Sequence, residues 1–203
     1  MKKNFIVAVM LVMVVSASAQ KLAVKAGFNL SSFTGKNQSN AESIVGWQIG
    51  GVAELPLSGD FYFQSGLSLI QKGAKYSEDG FKETDKPIYL QIPVYASYKF
   101  KVGSGKLFIS AGPYISFGVG GKAKYEEDGE SSVSEKLFTK EDGAEEAAFK
   151  RFDFGIGGNV GYEFNKMFVE LETNTGLVNI SNGDSNDYTV KNSTVAISVG
   201  YKF

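Results

Sequence analysis

The 203-residue chain contains no cysteine and no histidine. Those two absences exclude disulfides, lipidated cysteines, zinc sites built on thiolates or imidazoles, and every catalytic mechanism that turns on an imidazole. A surplus of either charge is missing too, since 21 Lys and Arg stand against 22 Asp and Glu. Nucleic-acid-binding domains carry a strong basic excess, so nucleic acid is not an expected partner. Strong helix formers are few. Beyond the first twenty residues no stretch is long and apolar enough for a membrane helix. What the chain has instead is 24 glycines, 16 Phe, 10 Tyr and 1 Trp, a turn-and-strand composition. Its length and 43% hydrophobic content suit one domain with a sizeable core.

Residues 1–19 have the layout of a secretory signal peptide. Lys2 and Lys3 form the basic head, Phe5 to Val15 the apolar stretch, and Ala17-Ser18-Ala19 the cleavage site. The apolar run is about 11 residues, short of the roughly 20 that a spanning helix needs. Cleavage before Gln20 leaves residues 20–203 as one domain outside the cytoplasm.

That domain shows a period of two in eight segments, each about 10–14 residues long, where globular strands usually run about 5–6. In 193–203, Val195, Ile197, Val199, Tyr201 and Phe203 share one face, and Ala196, Ser198, Gly200 and Lys202 the other. Segments 22–31, 45–55, 61–72, 88–100, 107–119, 151–164 and 167–177 alternate likewise. Short links at 56–60, 102–105 and 165–166 alternate with long ones at 33–43, 73–87, 120–150 and 181–190. This predicts an all-β fold: an eight-stranded antiparallel up-and-down transmembrane β-barrel with short periplasmic turns, longer extracellular loops and both termini on the short-turn side.

Parity alone also fits a soluble lipocalin-like barrel with an apolar interior. Three features favour the membrane. The polar faces carry charges of both signs that an enclosed interior satisfies in pairs. Aromatics gather near the short turns: Phe61, Phe63, Tyr98, Phe100, Tyr162, Phe164, Phe168, Tyr201 and Phe203, as a membrane-interface girdle does. The strand lengths match a tilted bilayer crossing.

The stretches KAGFNLSSF (25–33), PIYLQIPVYASYKF (87–100), SAGPYISFG (110–118), RFDFGIGGNVGYEF (151–164), TGLVNI (175–180) and SVGYKF (198–203) resemble the PorT-like outer-membrane β-barrel family of Gram-negative bacteria. The resemblance covers nearly the whole mature chain. It implies a barrel in the outer membrane, inserted by the outer-membrane assembly machinery, with the aromatic end at Tyr201 and Phe203 as the insertion signal. It brings no catalytic residues and no cofactor.

The candidate lumen network comprises Lys99, Arg151, Asp153, Glu163, Glu170 and Glu172, with Lys25, Gln48, Glu54, Gln64, Lys72 and Lys202 on the same faces. Eight strands leave an interior just wide enough for side chains to fill, so a closed plug is expected rather than a pore. The glycines of 112–121 and 155–161 lie on strands with no following helix, which removes a phosphate-loop reading and leaves room for bulky neighbours as their reason. Asp184, Asn186 and Asp187 lack the spacing of a calcium loop. Loop 120–150 holds nine acidic residues against five lysines; Thr139 with Asp142, then 145–150, has the pattern of a short surface helix. The expected function is a structural or surface-interaction role through the extracellular loops, with outer-membrane lipid around it and an extracellular or secretion-system protein as partner. The alternatives are narrow solute transport, service in a secretion system, a soluble carrier, and an enzyme, the last disfavoured by the missing histidine.

Overall fold

Along the last strand the two sequence faces part. Val195, Ile197 and Val199 are more than half exposed, while Ala196 and Ser198 are 2% exposed. The structure, a computed structural model, describes residues 21–78, 81–127, 133–139, 147–182 and 188–203. The expected signal peptide, the Asp184–Asp187 run and residues 140–146 of the expected helix lie outside the described residues.

The strands are β1 (Lys21–Thr34), β2 (Glu42–Ser58), β3 (Phe61–Gln71), β4 (Ala74–Glu78), β5 (Phe81–Val102), β6 (Gly105–Glu127), β7 (Val133–Lys136), β8 (Phe152–Phe164), β9 (Met167–Gly176) and β10 (Lys191–Lys202). Eight of them close an antiparallel ring in the order β1-β2-β3-β5-β6-β8-β9-β10. The seam joins the first and last strands, β1 and β10, from Ala23↔Lys202 to Thr34↔Lys191. Closure leaves no unpaired edge in the wall, the condition for placing strands in lipid.

Outward residues form an apolar band. On β5 it runs from Ile88 through Leu90, Ile92, Val94 and Ala96 to Phe100. At about 3.3 Å per residue and a tilt near 45°, that stretch spans roughly 28 Å, the height of a bilayer core. A soluble carrier is thereby excluded: its barrel would bury this face and expose the polar one. At the short-turn rim, here the lower rim, Phe61 meets Tyr98 at a tilt with ring centres 4.8 Å apart, and Tyr201 meets Phe203 edge-on at 5.7 Å. The tight turns there use left-handed backbone at Gly59, Gly103 and Asn165.

The upper rim departs from the sequence expectation. Much of 73–87 and 120–150 is strand, not loop. β5 and β6 are 22 and 23 residues long and stay paired up to Phe81↔Glu127. β4 pairs with β5 above the end of β3, and β7 with β6 from Lys122↔Lys136 to Tyr125↔Val133. These segments are charged on the outside, with Lys82 opposite Glu126 across the ladder. Water-facing pairs of that kind support a strand without the apolar alternation that identifies one in sequence. Gly121, at φ 133°, lies where β6 changes faces: Ser116 and Gly118 point inward below it and Ala123 above it. The expected helix is absent from the described part of its span, because Phe149 bridges to Ser181 in extended pairing.

Candidate functional site: the lumen and its upper mouth

The lumen is filled in tiers. In the lowest, Lys99 and Lys202 face Glu54 and Glu163. Lys99 Nζ lies 2.7 Å from Glu54 and 3.1 Å from Glu163. Lys202 Nζ lies 2.9 and 2.6 Å from the same two carboxylates. Tyr62 and Phe168 flank the pair, with their ring centres 4.8 Å from Lys99 Nζ and 5.6 Å from Lys202 Nζ. Phe168, expected in the outer girdle, is 6% exposed and packs on Phe108 inside. Its even number on β9 puts it on the face of Glu170 and Glu172, and a bare Gly200 across the strand pair leaves room for its ring.

In the middle tier Lys25 Nζ sits 2.6 Å from Glu170 and 2.5 Å from Glu172. Asn174 donates to Glu172 at 2.9 Å, and the Tyr95 hydroxyl to Asn174 at 2.9 Å. The upper tier centres on Asp153. Lys72 Nζ approaches it at 3.0 Å with both side chains 0% exposed, and Asn192 donates to it at 2.9 Å. The Lys72 ammonium also lies 4.6 Å from the Tyr114 ring centre. Every ammonium and carboxylate in these tiers has an oppositely charged neighbour, as burial requires.

Arg151 is not among them. It shares the inward parity of Asp153 but stands before the first residue of β8, and it is exposed. Its guanidinium donates to the carbonyls of Gly118 and Phe138 at 2.8 Å each and covers the Phe138 ring at 5.5 Å. Arg151 therefore clamps a lid. Phe138 and Leu137 dip into the mouth above the polar tiers, where Phe138 meets Tyr89 edge-on at 5.5 Å. Phe149, Ile180 and Val190 belong to the same apolar cluster, tied by Phe149 N–H to Leu137 O and Ile180 N–H to Val190 O. A Cβ on Gly118 would strike the Phe138 ring, so this glycine gives the lid its seat. Of the two residues expected to signal insertion, Tyr201 faces outward at the lower rim beneath Lys166, and the Phe203 amide donates to Leu22 O at 2.9 Å.

Beside the lid, between β4, β5 and β6, opens a cavity of about 310 Å³ that sequence reasoning missed. It is lined by Tyr76, Glu78, Phe81, Glu83, Asp85 and Tyr125, with Leu137 and Phe149 as its floor and Tyr188 and Val190 beyond. Asp85 is 5% exposed, and burial, with Glu83 adding a like charge, pushes its carboxyl up to about 7. The sequence signal was the inward parity of Asp85, hidden because its segment is polar on both faces.

Residues 18–182 match the family model described as outer membrane protein beta-barrel domain. No curated protein matches the chain. Solved structures similar to it include Neisserial surface protein A, 13% identical, with 90% of this chain and 97% of that one covered and a TM-score of 0.47. The attachment invasion locus protein Ail of Yersinia pestis is 15% identical over 90% and 98% of the two chains, with a TM-score of 0.43. The N-terminal β-barrel domain of Pseudomonas aeruginosa OprF is 14% identical over 89% and 97%, with a TM-score of 0.35. Likenesses this distant say nothing of ligand or partner.

Proposed function

The chain belongs to the outer membrane protein beta-barrel domain family, and from that premise we propose that it is a closed barrel with a structural or surface-interaction role exercised at its upper, extracellular rim. The observation that carries this reading is the filled lumen: three ion-paired tiers lie under an apolar lid held by Arg151. Ammonium and carboxylate groups locked at 2.5–3.1 Å leave no row of free charges for a solute to follow. The lid seals the end at which the paired strands rise farthest.

On this reading residues 1–19 direct export from the cytoplasm of a Gram-negative cell and are removed. The assembly machinery of the outer membrane then reads the end of β10, where Tyr201 and Phe203 present adjacent rings to the outside. The YLQIP, AGPY and FDFG elements support placing the chain in the PorT-like branch. Its partner is an extracellular or secretion-system protein that docks on the raised β4–β5–β6–β7 rim. No catalytic role is assigned to any residue.

Planar-bilayer conductance of the refolded, detergent-purified protein tests the closed lumen. Silence from protein that migrates as a heat-modifiable barrel is the expected result. Discrete, reproducible channel events would replace it with narrow solute transport.

A further inference from the structure

The rim cavity combines three features that point to one kind of ligand. Among the described residues its lining holds three carboxylates, Glu78, Glu83 and Asp85, and no lysine or arginine. Aromatic rings surround them: Tyr76, Phe81 and Tyr125, with Phe81 and Tyr125 paired at 6.2 Å. The buried Asp85 Oδ1 has no hydrogen-bond partner among the described residues. A buried acceptor left unpaired is costly, and a charged donor relieves that cost best. Aromatic faces attract cations in the same place.

The identity of the cation follows by elimination. A metal ion needs several oxygen donors converging on it, and the described residues contain no group of three or more His, Cys, Asp or Glu able to hold one. A quaternary ammonium has no N–H to give Asp85. An alkylammonium satisfies both demands, since its N–H groups reach the carboxylate while its methylenes cover Leu137 and the rings. The cavity lies at the small end of ligand-site volumes, which suits a short chain.

We propose that the upper rim holds a binding site for a primary alkylammonium group, seated on Asp85 and enclosed by Tyr76, Phe81 and Tyr125. The proposal rests on the reading above only in needing the rim to stand clear of the lipid. The group arrives either on a small free amine or on a lysine side chain of a docking protein. Both present the same chemistry.

The experiment uses the refolded barrel in detergent micelles, with amide chemical shifts as the readout. Titration with n-butylamine is expected to move the signals of residues 83–85 and 125 saturably. Asp85→Asn is expected to weaken this at least tenfold, and Tyr125→Leu several-fold, while lumen signals and heat-modifiable migration stay unchanged. Tetramethylammonium, n-butanol and calcium chloride are expected to bind at least fivefold more weakly than butylamine. Equal binding by tetramethylammonium or calcium would reduce the site to general charge attraction and overturn the proposal. So would full butylamine affinity in Asp85→Asn. A short peptide carrying one lysine, compared with its alanine counterpart, identifies the source: tighter binding than butylamine assigns the site to a protein partner, and weaker binding to a free amine. Channel conductance would leave these shifts as they are, so failure of the closed-lumen reading is separable from failure of this one.

Discussion

Asp153 shows what a single buried charge does here. Its removal in Asp153→Ala strands the Lys72 ammonium at a site where both side chains are 0% exposed. Breaking a buried pair from one side typically costs about 3–5 kcal/mol. Urea titration of the variant in detergent is expected to show a loss of that order. Lys72→Met combined with Asp153→Ala should recover part of it, because no lone charge remains. Arg151→Ala should instead leave the midpoint almost unchanged while making the 137–139 segment more protease-sensitive, since its guanidinium holds the lid and not the wall. Asp85 gives a pH dependence. Its carboxyl rises from 3.8 to about 7 on folding, so the folded rim binds a proton more tightly than the unfolded chain does. That stabilisation is complete below about pH 4 and is lost as pH climbs through about 7. Hydrogen exchange of β4 and β5 amides, corrected for intrinsic rates, should therefore quicken from pH 5 to pH 8 in the parent and do so much less in Asp85→Asn, where Glu83 alone keeps a raised carboxyl. Glu83, Glu78, Tyr76, Tyr125, Tyr188 and Glu135 also face this region. Of these, burial raises Glu83 too and pushes Tyr125 up to about 12, so Tyr125 stays neutral throughout. Amine binding should strengthen over the same rise in pH. The inward parity of Lys72, Asp153 and Lys25 was legible in the alternation. Their partners were not, because parity fixes a face while tier height depends on register and shear. Arg151 shows the limit: it has the right parity, one residue too early.

At the scale of elements, β5 and β6 matter most. Their pairing continues about seven residues beyond the apolar band, which places β4 and β7 clear of the lipid. Thr84 is central there, paired to Lys75 on one side and Lys124 on the other. A proline at this position removes a ladder hydrogen bond in a central strand. Thr84→Pro is expected to open the rim to proteolysis without altering heat-modifiable migration, which reports the ring below. Loss of the barrel itself would mean that the rim is needed for folding. The sequence read these segments as loops because they are polar on both faces. Alternation identifies a strand only where one side meets lipid or a core. The girdle was partly legible for the same reason: Phe61, Tyr98, Tyr201 and Phe203 sit on the outer face, whereas Phe168 was grouped by its position near a turn when its parity placed it inside.

At the scale of the whole molecule, the ring couples the most distant parts of the sequence. Lys25 of β1 meets Glu170 and Glu172 of β9, and Lys202 of β10 meets Glu54 of β2. Such non-local contacts form late and make folding slow. Removing β10 should thus abolish the lowest and middle tiers together and leave no heat-modifiable species on a gel. The seam has a further consequence. Because Ala23 lies across from Lys202, and the Phe203 amide is bonded to Leu22, the start of β1 and the end of β10 meet at the lower rim. The order in which the wall is synthesised is then separable from its shape. A short linker across that gap, with a new opening between Phe164 and Asn165, gives a circular permutant that keeps the wall pairings outside the opened turn. Its final strand would end Tyr162-Glu163-Phe164, echoing the native Tyr201-Lys202-Phe203. Such a permutant would ask whether insertion depends on the identity of β10 or on any outward-facing Tyr-x-Phe at the chain's end.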